Sequence, residues 1–310
     1  MSHRRGTLYT ILLLAVVAIS TSAVFVKLSS APAAVIVTYR TAIATLVMLP
    51  ILLFSPRVRR EIRGMSGIQW GLIAAAGLFL AAHFLLWFES LSFTSLASST
   101  VLVTLQPIFS FLGALLIFRE RISRTALFGG VLAILGGILV GWGDFRVGGM
   151  AFWGDMLALI SAFMGTVYYF IGQLSRQSLS SMTYTLALYA FCTGFSALYV
   201  LIKGYSLTGY PSADWLGFLG IAIIPTLLGQ SVVNWLLKWL KATTVSVGML
   251  SETFAAVVFG YLFFDEKVSI FQLAGGGFII FGIVIYLRNE RKEAEKQLSR
   301  KPDSLREVTE

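Results

Sequence analysis

Two stretches of this 310-residue chain match each other without a gap, Val101 to Val140 and Val247 to Tyr286, the second lying 146 residues after the first. Phe118, Glu120, Ser123, Leu127, Gly129, Gly130, Ile134 and Gly136 recur as Phe264, Glu266, Ser269, Leu273, Gly275, Gly276, Ile280 and Gly282. Each copy passes from an apolar stretch through an acidic turn into a glycine-rich apolar stretch. The chain must therefore fold as two copies of one membrane unit, and duplicated units of this kind place a ligand site near the midplane between the copies. That geometry points to alternating access.

The sequence is 57% hydrophobic, with a mean hydropathy of +0.82, more than one soluble core requires. A crossing helix needs about 20 apolar residues. Ten such runs follow one another: Gly6 to Leu28, Ala33 to Phe54, Ile68 to Glu89, Ser95 to Phe118, Ala126 to Gly143, Met150 to Gln173, Thr183 to Ile202, Trp215 to Leu237, Thr243 to Phe264 and Phe271 to Leu287. Basic residues before the first run, and Ala31 and Ala33 after it, suggest a cleaved signal peptide. Its length and its place at the head of a repeat assign it as a span instead. Cys192 is the sole cysteine, and His3 and His83 are the only histidines, so no cluster has zinc-site spacing. No metal or other cofactor is expected.

The net charge of +9 is not a nucleic-acid signature, because it alternates from loop to loop. Arg4 and Arg5, then Arg57, Arg59, Arg60 and Arg63, then Arg119, Arg121 and Arg124, then Arg176, Lys238 and Lys241, fall on one side, and the tail from Arg288 joins them. Lys27, Arg146, Lys203 and Lys267 fall on the other. This positive-inside asymmetry predicts a multi-pass protein of the cytoplasmic membrane with both termini in the cytoplasm. The basic surface also offers a contact to anionic lipid head groups.

The expected architecture is an all-α integral membrane protein of ten transmembrane helices, arranged as two inverted five-helix repeats over residues 1–146 and 147–288, with a charged cytoplasmic tail over 289–310. An odd number of spans per copy turns the second copy over, so Arg119-Glu120-Arg121 should face the cytoplasm and Asp265-Glu266-Lys267 the outside. The tail reads as a solvated helix or as disordered. Ala133, Gly137 and Gly141 recur every fourth residue in span five, and Gly275, Gly276, Gly277 and Gly282 crowd span ten. Small residues let helices approach closely. The preferred reading is packing within a monomer, although the spacing serves a homodimer equally.

Ionisable groups at membrane depth are costly and mark functional candidates. Glu252 lies near the centre of span nine, beyond snorkelling reach of water, so it must be protonated, paired or facing an aqueous cavity. It either binds a proton or cationic group, or is a neutral acid bonded to a neighbouring helix. Its counterpart at the 146-residue offset is Gln106, followed by Pro107, which loosens the helix. His83 can titrate near neutral pH, and Trp87 follows one turn later on the same face. The pair reads as a gate, or His83 as an interhelical hydrogen-bond donor. Arg40 needs an anionic partner, for which Glu89 and a substrate carboxylate are candidates. Gln230 and Asn234 share a face of span eight beside Pro225, lining a cavity or bonding across helices. Tyr168 and Tyr169 either cap the cavity or join the interfacial aromatic belt.

Taken together, His83-Phe84-Leu85-Leu86-Trp87 through Thr94 to Ser99, Pro107 with Arg119-Glu120-Arg121, and Pro225-Thr226-Leu227-Leu228-Gly229-Gln230 leading to Asn234-Trp235 resemble EamA-type members of the drug/metabolite transporter superfamily, over nearly the whole chain. Arg40 matches a family arginine in the second span. The resemblance implies export or exchange of amino acids and other small metabolites, with some members importing sugars, choline or drugs. Two departures stand out. Gln230 occupies a position where many members have histidine, and Ser251-Glu252-Thr253 replaces Gly-Glu-Pro, while the glutamate itself is kept.

The expected function is secondary active transport of a small metabolite, an amino acid or related compound moved outward, by proton coupling or exchange. No Gly-x-x-x-x-Gly-Lys-[Ser/Thr] nucleotide loop exists in the sequence. The expected partners are a small-molecule substrate, membrane lipid and protons, with no nucleic acid. Rival readings are a facilitator or channel, a choline-like cation or drug transporter, and a lipid flippase. An intramembrane enzyme is disfavoured by the shortage of Cys, His and paired carboxylates.

Overall fold

The computed structural model describes residues 2–94, 96–117, 119, 122–142, 149–264 and 268–299, and every regular element among them is a helix. Nine helical stretches among these residues are long and apolar enough to cross a membrane. The first three long helices are α1 (Ser2–Leu28), α2 (Ala33–Phe54) and α4 (Gly67–Ser90), with a short α3 (Pro56–Arg63) between the last two. The predicted fifth run falls in α7 (Arg124–Gly141), whose apolar part, Arg124–Val140, is shorter than the others.

Two runs expected to be continuous are broken at equivalent points. The fourth divides into α5 (Leu96–Val103) and α6 (Gln106–Leu116), the ninth into α12 (Ala242–Met249) and α13 (Ser251–Phe264). Thr104 and Leu250, in the two breaks, stand 146 residues apart in sequence. In the first, Pro107 has no N–H to return to the preceding turn. In the second, the Ser251 hydroxyl donates to the Gly248 carbonyl at 2.7 Å and competes with the helical ladder. The Thr104 and Thr253 hydroxyls then join the two breaks at 2.7 Å.

Span eight is interrupted differently. Between α10 (Ser212–Ile221) and α11 (Ser231–Leu236), residues Ala222–Gln230 are π-helical around Pro225. The remaining elements are α8 (Gly149–Ser175), α9 (Ser181–Lys203) and α14 (Ile270–Ser299). Helix α14 carries the tail as continuous helix to Ser299. Residues 300–310 lie outside the described residues, as do Glu120, Arg121, Arg146 and Asp265 to Lys267, and with them the expected placement of the two acidic turns.

Helices α7 and α14 run antiparallel with their backbones in contact. A Cβ added to Gly129 would lie 2.8 Å from the Gly282 carbonyl, and one added to Gly136 would lie 2.7 Å from that of Gly275. The 146-residue offset exchanges these two contacts, since it carries Gly129 to Gly275 and Gly136 to Gly282. The seam is therefore intramolecular, but its register differs from the one expected. Gly129, Ala133 and Gly136 form it, whereas Gly137 meets only a Leu250 methyl at 3.9 Å and Gly277 meets nothing within 4 Å. The side of Gly141 lies outside the described residues.

At one end of the bundle Arg5, Gln173, Lys238, Lys241 and Glu290 surround a cavity of about 230 Å³. At the other, Lys27, Ser29, Phe88, Leu91 and Thr94 line one of about 490 Å³. The basic end is fastened by α3, an element absent from the sequence reading. Its N-cap Ser55 accepts from Val58 N, with Pro56 at the first helical position. Glu61 accepts from Thr183 Oγ1 at 2.6 Å and Ser180 N at 3.1 Å, tying α3 to the start of α9. Desolvation opposes ionisation of Glu61, but hydrogen bonds from Ser180, Thr183 and Arg57 outweigh it and hold the carboxyl down to about 2. A carboxyl depressed in the folded state stabilises fully above its unfolded value and loses that contribution as pH falls toward its folded value. Glu61→Gln is therefore expected to lower the melting temperature at neutral pH. The gap to the wild type should close between about pH 4.5 and about pH 2, read from paired thermal melts.

Candidate functional site

Arg40, fully buried on α2, is held by contacts that no single helix contains. Its guanidinium carbon sits 3.9 Å above the Phe84 ring and 5.5 Å from that of Phe88, both on α4. Its Nε donates to Thr226 Oγ1 at 3.0 Å, in the π-helical segment. The wider turn there organises Thr226: its hydroxyl donates to the Ile221 carbonyl at 2.7 Å, and its own carbonyl accepts from Tyr189 Oη and Ser231 Oγ, both at 3.1 Å. π-Turns concentrate at functional positions. Glu89, one of the two partners suggested for Arg40 in the sequence, is exposed at the end of α4, and within the protein Arg40 meets two aromatic faces and a hydroxyl instead. Nη1 of Arg40 has no hydrogen-bond partner.

Glu252 opens α13 in its first turn, just past the helix break, and is 4% exposed. The N-terminal partial charge of that half-helix favours a carboxylate there. Its Oε1 has no hydrogen-bond partner. It and Arg40 act on each other electrostatically across the interior. Gln106 stands at the start of α6 in the corresponding place, equally buried, with its Oε1 unpartnered.

His83 faces α8. The Ser161 hydroxyl donates to the His83 carbonyl at 2.7 Å, and His83 Nδ1 lies 2.9 Å from both oxygens of Ser161. With the serine proton committed to the His83 carbonyl, Nδ1 is the donor to the Ser161 carbonyl, and Nε2 is left as an acceptor. His83 thus makes an interhelical bond, one of its two sequence readings, and its ring lies 6.2 Å from that of Trp87 at 28°. Gly165 makes the space: a Cβ there would lie 2.7 Å from Gln106 Nε2 and 2.8 Å from His83 Nδ1. Trp87 is buried and its Nε1 has no partner.

Toward the basic end, Gln230 Nε2 donates to Tyr168 Oη at 3.0 Å, and Tyr168 in turn donates to Asn234 Oδ1. Tyr168 is buried, which excludes it from the lipid-facing belt. It bridges the two polar residues that share a face of span eight. Arg176, not singled out in the sequence, donates from Nε to the Asn234 carbonyl at 3.1 Å and from Nη1 to the Leu179 carbonyl. Asn234 is thus gripped at both its backbone and its side chain. The residues missed were Thr226, Ser161 and Arg176. Of these, Arg176 carried a legible signal as a lone cation at the end of an apolar run.

The buried interior thus presents donors without partners, Arg40 Nη1 and Trp87 Nε1, and acceptors without partners, Glu252 Oε1 and Gln106 Oε1. Native proteins rarely leave such atoms unsatisfied, and each needs an explanation such as a ligand or a water. Among the described residues no group of three or more His, Cys, Asp or Glu is placed to hold a metal ion. Arg40→Lys would keep the charge but lose the planar donor fork. It is expected to weaken ligand-induced thermal stabilisation by about tenfold in ligand concentration, the scale of one charged hydrogen bond.

The described residues form a multi-pass helical protein with polar side chains gathered in its interior. The chain belongs to the EamA-like transporter family, which it matches twice, over residues 6–142 and 152–288. It is similar to the pseudopaline exporter CntI of Pseudomonas aeruginosa, 25% identical over 284 residues, which cover 90% of this chain and 96% of that protein. It is also similar to the riboflavin transporter ImpX of Fusobacterium nucleatum, 26% identical, over 62% and 67% of the two chains. An uncharacterized transporter of Archaeoglobus fulgidus is 29% identical over a shorter stretch of 75 residues, which is 24% of this chain and 28% of that protein. A solved crystal structure superposes with a TM-score of 0.73 at 14% identity, covering 91% of this chain and 97% of the other. That likeness concerns the fold.

Proposed function

We propose that this protein is a secondary active transporter that moves a small zwitterionic metabolite, an amino acid or a related compound, outward across the cytoplasmic membrane by alternating access. The observation that carries the reading is the pair of buried opposite charges, Arg40 and Glu252, each with an unpartnered polar atom. Arg40 and Trp87 would receive a substrate carboxylate. Glu252, with Gln106, would receive an ammonium group or a proton. Gln230, Tyr168 and Asn234 close the path toward the basic end, and His83 with Trp87 flanks it on the α4 side. The outward direction follows the relative named as an exporter.

Ten crossings in two inverted five-helix copies fit this reading. The family match repeats with the same 146-residue offset, from 6–142 to 152–288. The antiparallel α7–α14 seam exchanges its contacts under that offset, and both copies break one helix at the same position. The positive-inside rule then sets both termini in the cytoplasm.

The test is thermal stabilisation of the purified protein at two pH values by amino acids, and by the matching amines and carboxylic acids that keep one charge each. Ligands stabilise by mass action. The reading expects a zwitterion to raise the melting temperature and both single-charge analogues to fail. Equal stabilisation by the amine alone would replace it with a cation transporter.

A further inference from the structure

We propose that the basic end of this protein holds an anionic phospholipid in a site made of α3 and the groove beside it. The inference rests on the chain's being embedded in a bilayer and is independent of the transport reading. Helix α3 follows α2 after one residue, Ser55, so it lies at head-group depth. Its eight residues include Arg57, Arg59, Arg60 and Arg63. Val58 is buried and Ile62 packs on the core, one turn apart, so the helix lies on the protein by that face. Arg60 and Arg63 are exposed. The acid that would neutralise them, Glu61, is turned to α9, where it accepts from Ser180 and Thr183. Glu61 also holds Arg57 at 3.2 Å, so the charge on α3 left for an external anion is that of Arg60 and Arg63.

Next to the elements that hold α3 lies an apolar groove of about 300 Å³ between α2, α9 and the π-helical segment with α11, lined by Met48, Ile51, Met182, Leu227 and Trp235 among others. Met48 and Ile51 belong to the turns of α2 that lead into α3, and Met182 to the first turn of α9, which Glu61 grips. The groove and the arginines thus share one corner of the molecule. An acyl chain of the surrounding bilayer is the apolar ligand that such a groove can take up. A phosphate set on α3 beside a chain in the groove satisfies both features, which a soluble phosphate would not. The groove wall includes Leu227 and Ser231, neighbours of Thr226, the residue that bonds Arg40. The bound lipid therefore abuts the helix that positions the central arginine.

The test compares the full chain in detergent supplemented with phosphatidylglycerol, phosphatidylcholine or inorganic phosphate, read by lipid-dependent melting temperature and by lipid retained in native mass spectrometry. The wild type should be stabilised more by phosphatidylglycerol than by phosphatidylcholine and not at all by phosphate. Each basic side chain near an anionic surface contributes roughly fivefold, so Arg60→Gln/Arg63→Gln should reduce phosphatidylglycerol retention by more than about tenfold while leaving phosphatidylcholine retention unchanged. Arg60→Lys/Arg63→Lys should keep the preference, which separates charge from folding. Met182→Trp, filling the groove, should reduce retention of both lipids. Equal stabilisation of the wild type by the two lipids, or an undiminished preference in the glutamine variant, would overturn the proposal.

Discussion

Glu252→Gln is expected to abolish ligand-dependent stabilisation and transport while the protein stays folded. Glutamine has nearly the same volume, and Oε1 of Glu252 makes no hydrogen bond that the exchange would lose. Glu252 and Arg40 attract each other only at a distance, with Glu252 Oε1 and Arg40 Nη1 both unpartnered, so the exchange breaks no direct ion pair and relieves the desolvation of a buried acid; the unliganded melting temperature should hold or rise. The ligand response should fall by at least about thirtyfold in concentration, because the substrate ammonium group would lose its buried charge partner, a loss of about 2 kcal/mol or more. Any change of ligand response between the two pH values should disappear with the carboxylate. A lower melting temperature with an intact ligand response would make Glu252 a structural residue and remove it from the site.

The second large effect concerns the α7–α14 seam, where two chemically similar substitutions should act in opposite directions. Gly136→Ala places a methyl 2.7 Å from both the Gly275 carbonyl and the Ile279 nitrogen. Those are backbone atoms, so the helices must separate. In a bilayer their association depends on close van der Waals packing, and overpacking costs about 1–3 kcal/mol. Gly277→Ala meets nothing within 4 Å and removes a flexible residue from a helix interior, a gain of roughly 0.5–1 kcal/mol. The melting temperature should fall for the first and rise for the second. Equal effects of the two would show that the seam is not tightly packed.

The sequence reveals the spans and the seam because both depend on residue type at fixed spacing. The 146-residue repeat carries Gly129 to Gly275 and Gly136 to Gly282 and so marks the four glycines of the seam, while the contacts themselves run crosswise, Gly129 to Gly282 and Gly136 to Gly275. What it conceals is tertiary. Pro107 announces one helix break, but the matching break at Leu250 has no proline and arises from the Ser251 hydroxyl bonding back to Gly248. The partner of Arg40 could not be read from the chain, since charge alone favours a nearby carboxylate. The interior instead supplies the faces of Phe84 and Phe88 and a hydroxyl on a π-turn. Tyr168 looks equally suited to a lipid interface until its burial between Gln230 and Asn234 is seen. Helix α3 has a legible start, the Ser55 cap and Pro56 ahead of a basic run, but it is too short to show as a span in hydropathy.

The most direct test of the transport account is counterflow in proteoliposomes, with a stabilising zwitterion as the substrate. Vesicles are preloaded with unlabelled compound, and uptake of a labelled trace is followed with time. An alternating-access carrier should accumulate label transiently above its equilibrium level, and Glu252→Gln should not. Label that rises only to equilibrium, at the same rate with or without preloading, would contradict the account and mark the protein as a channel.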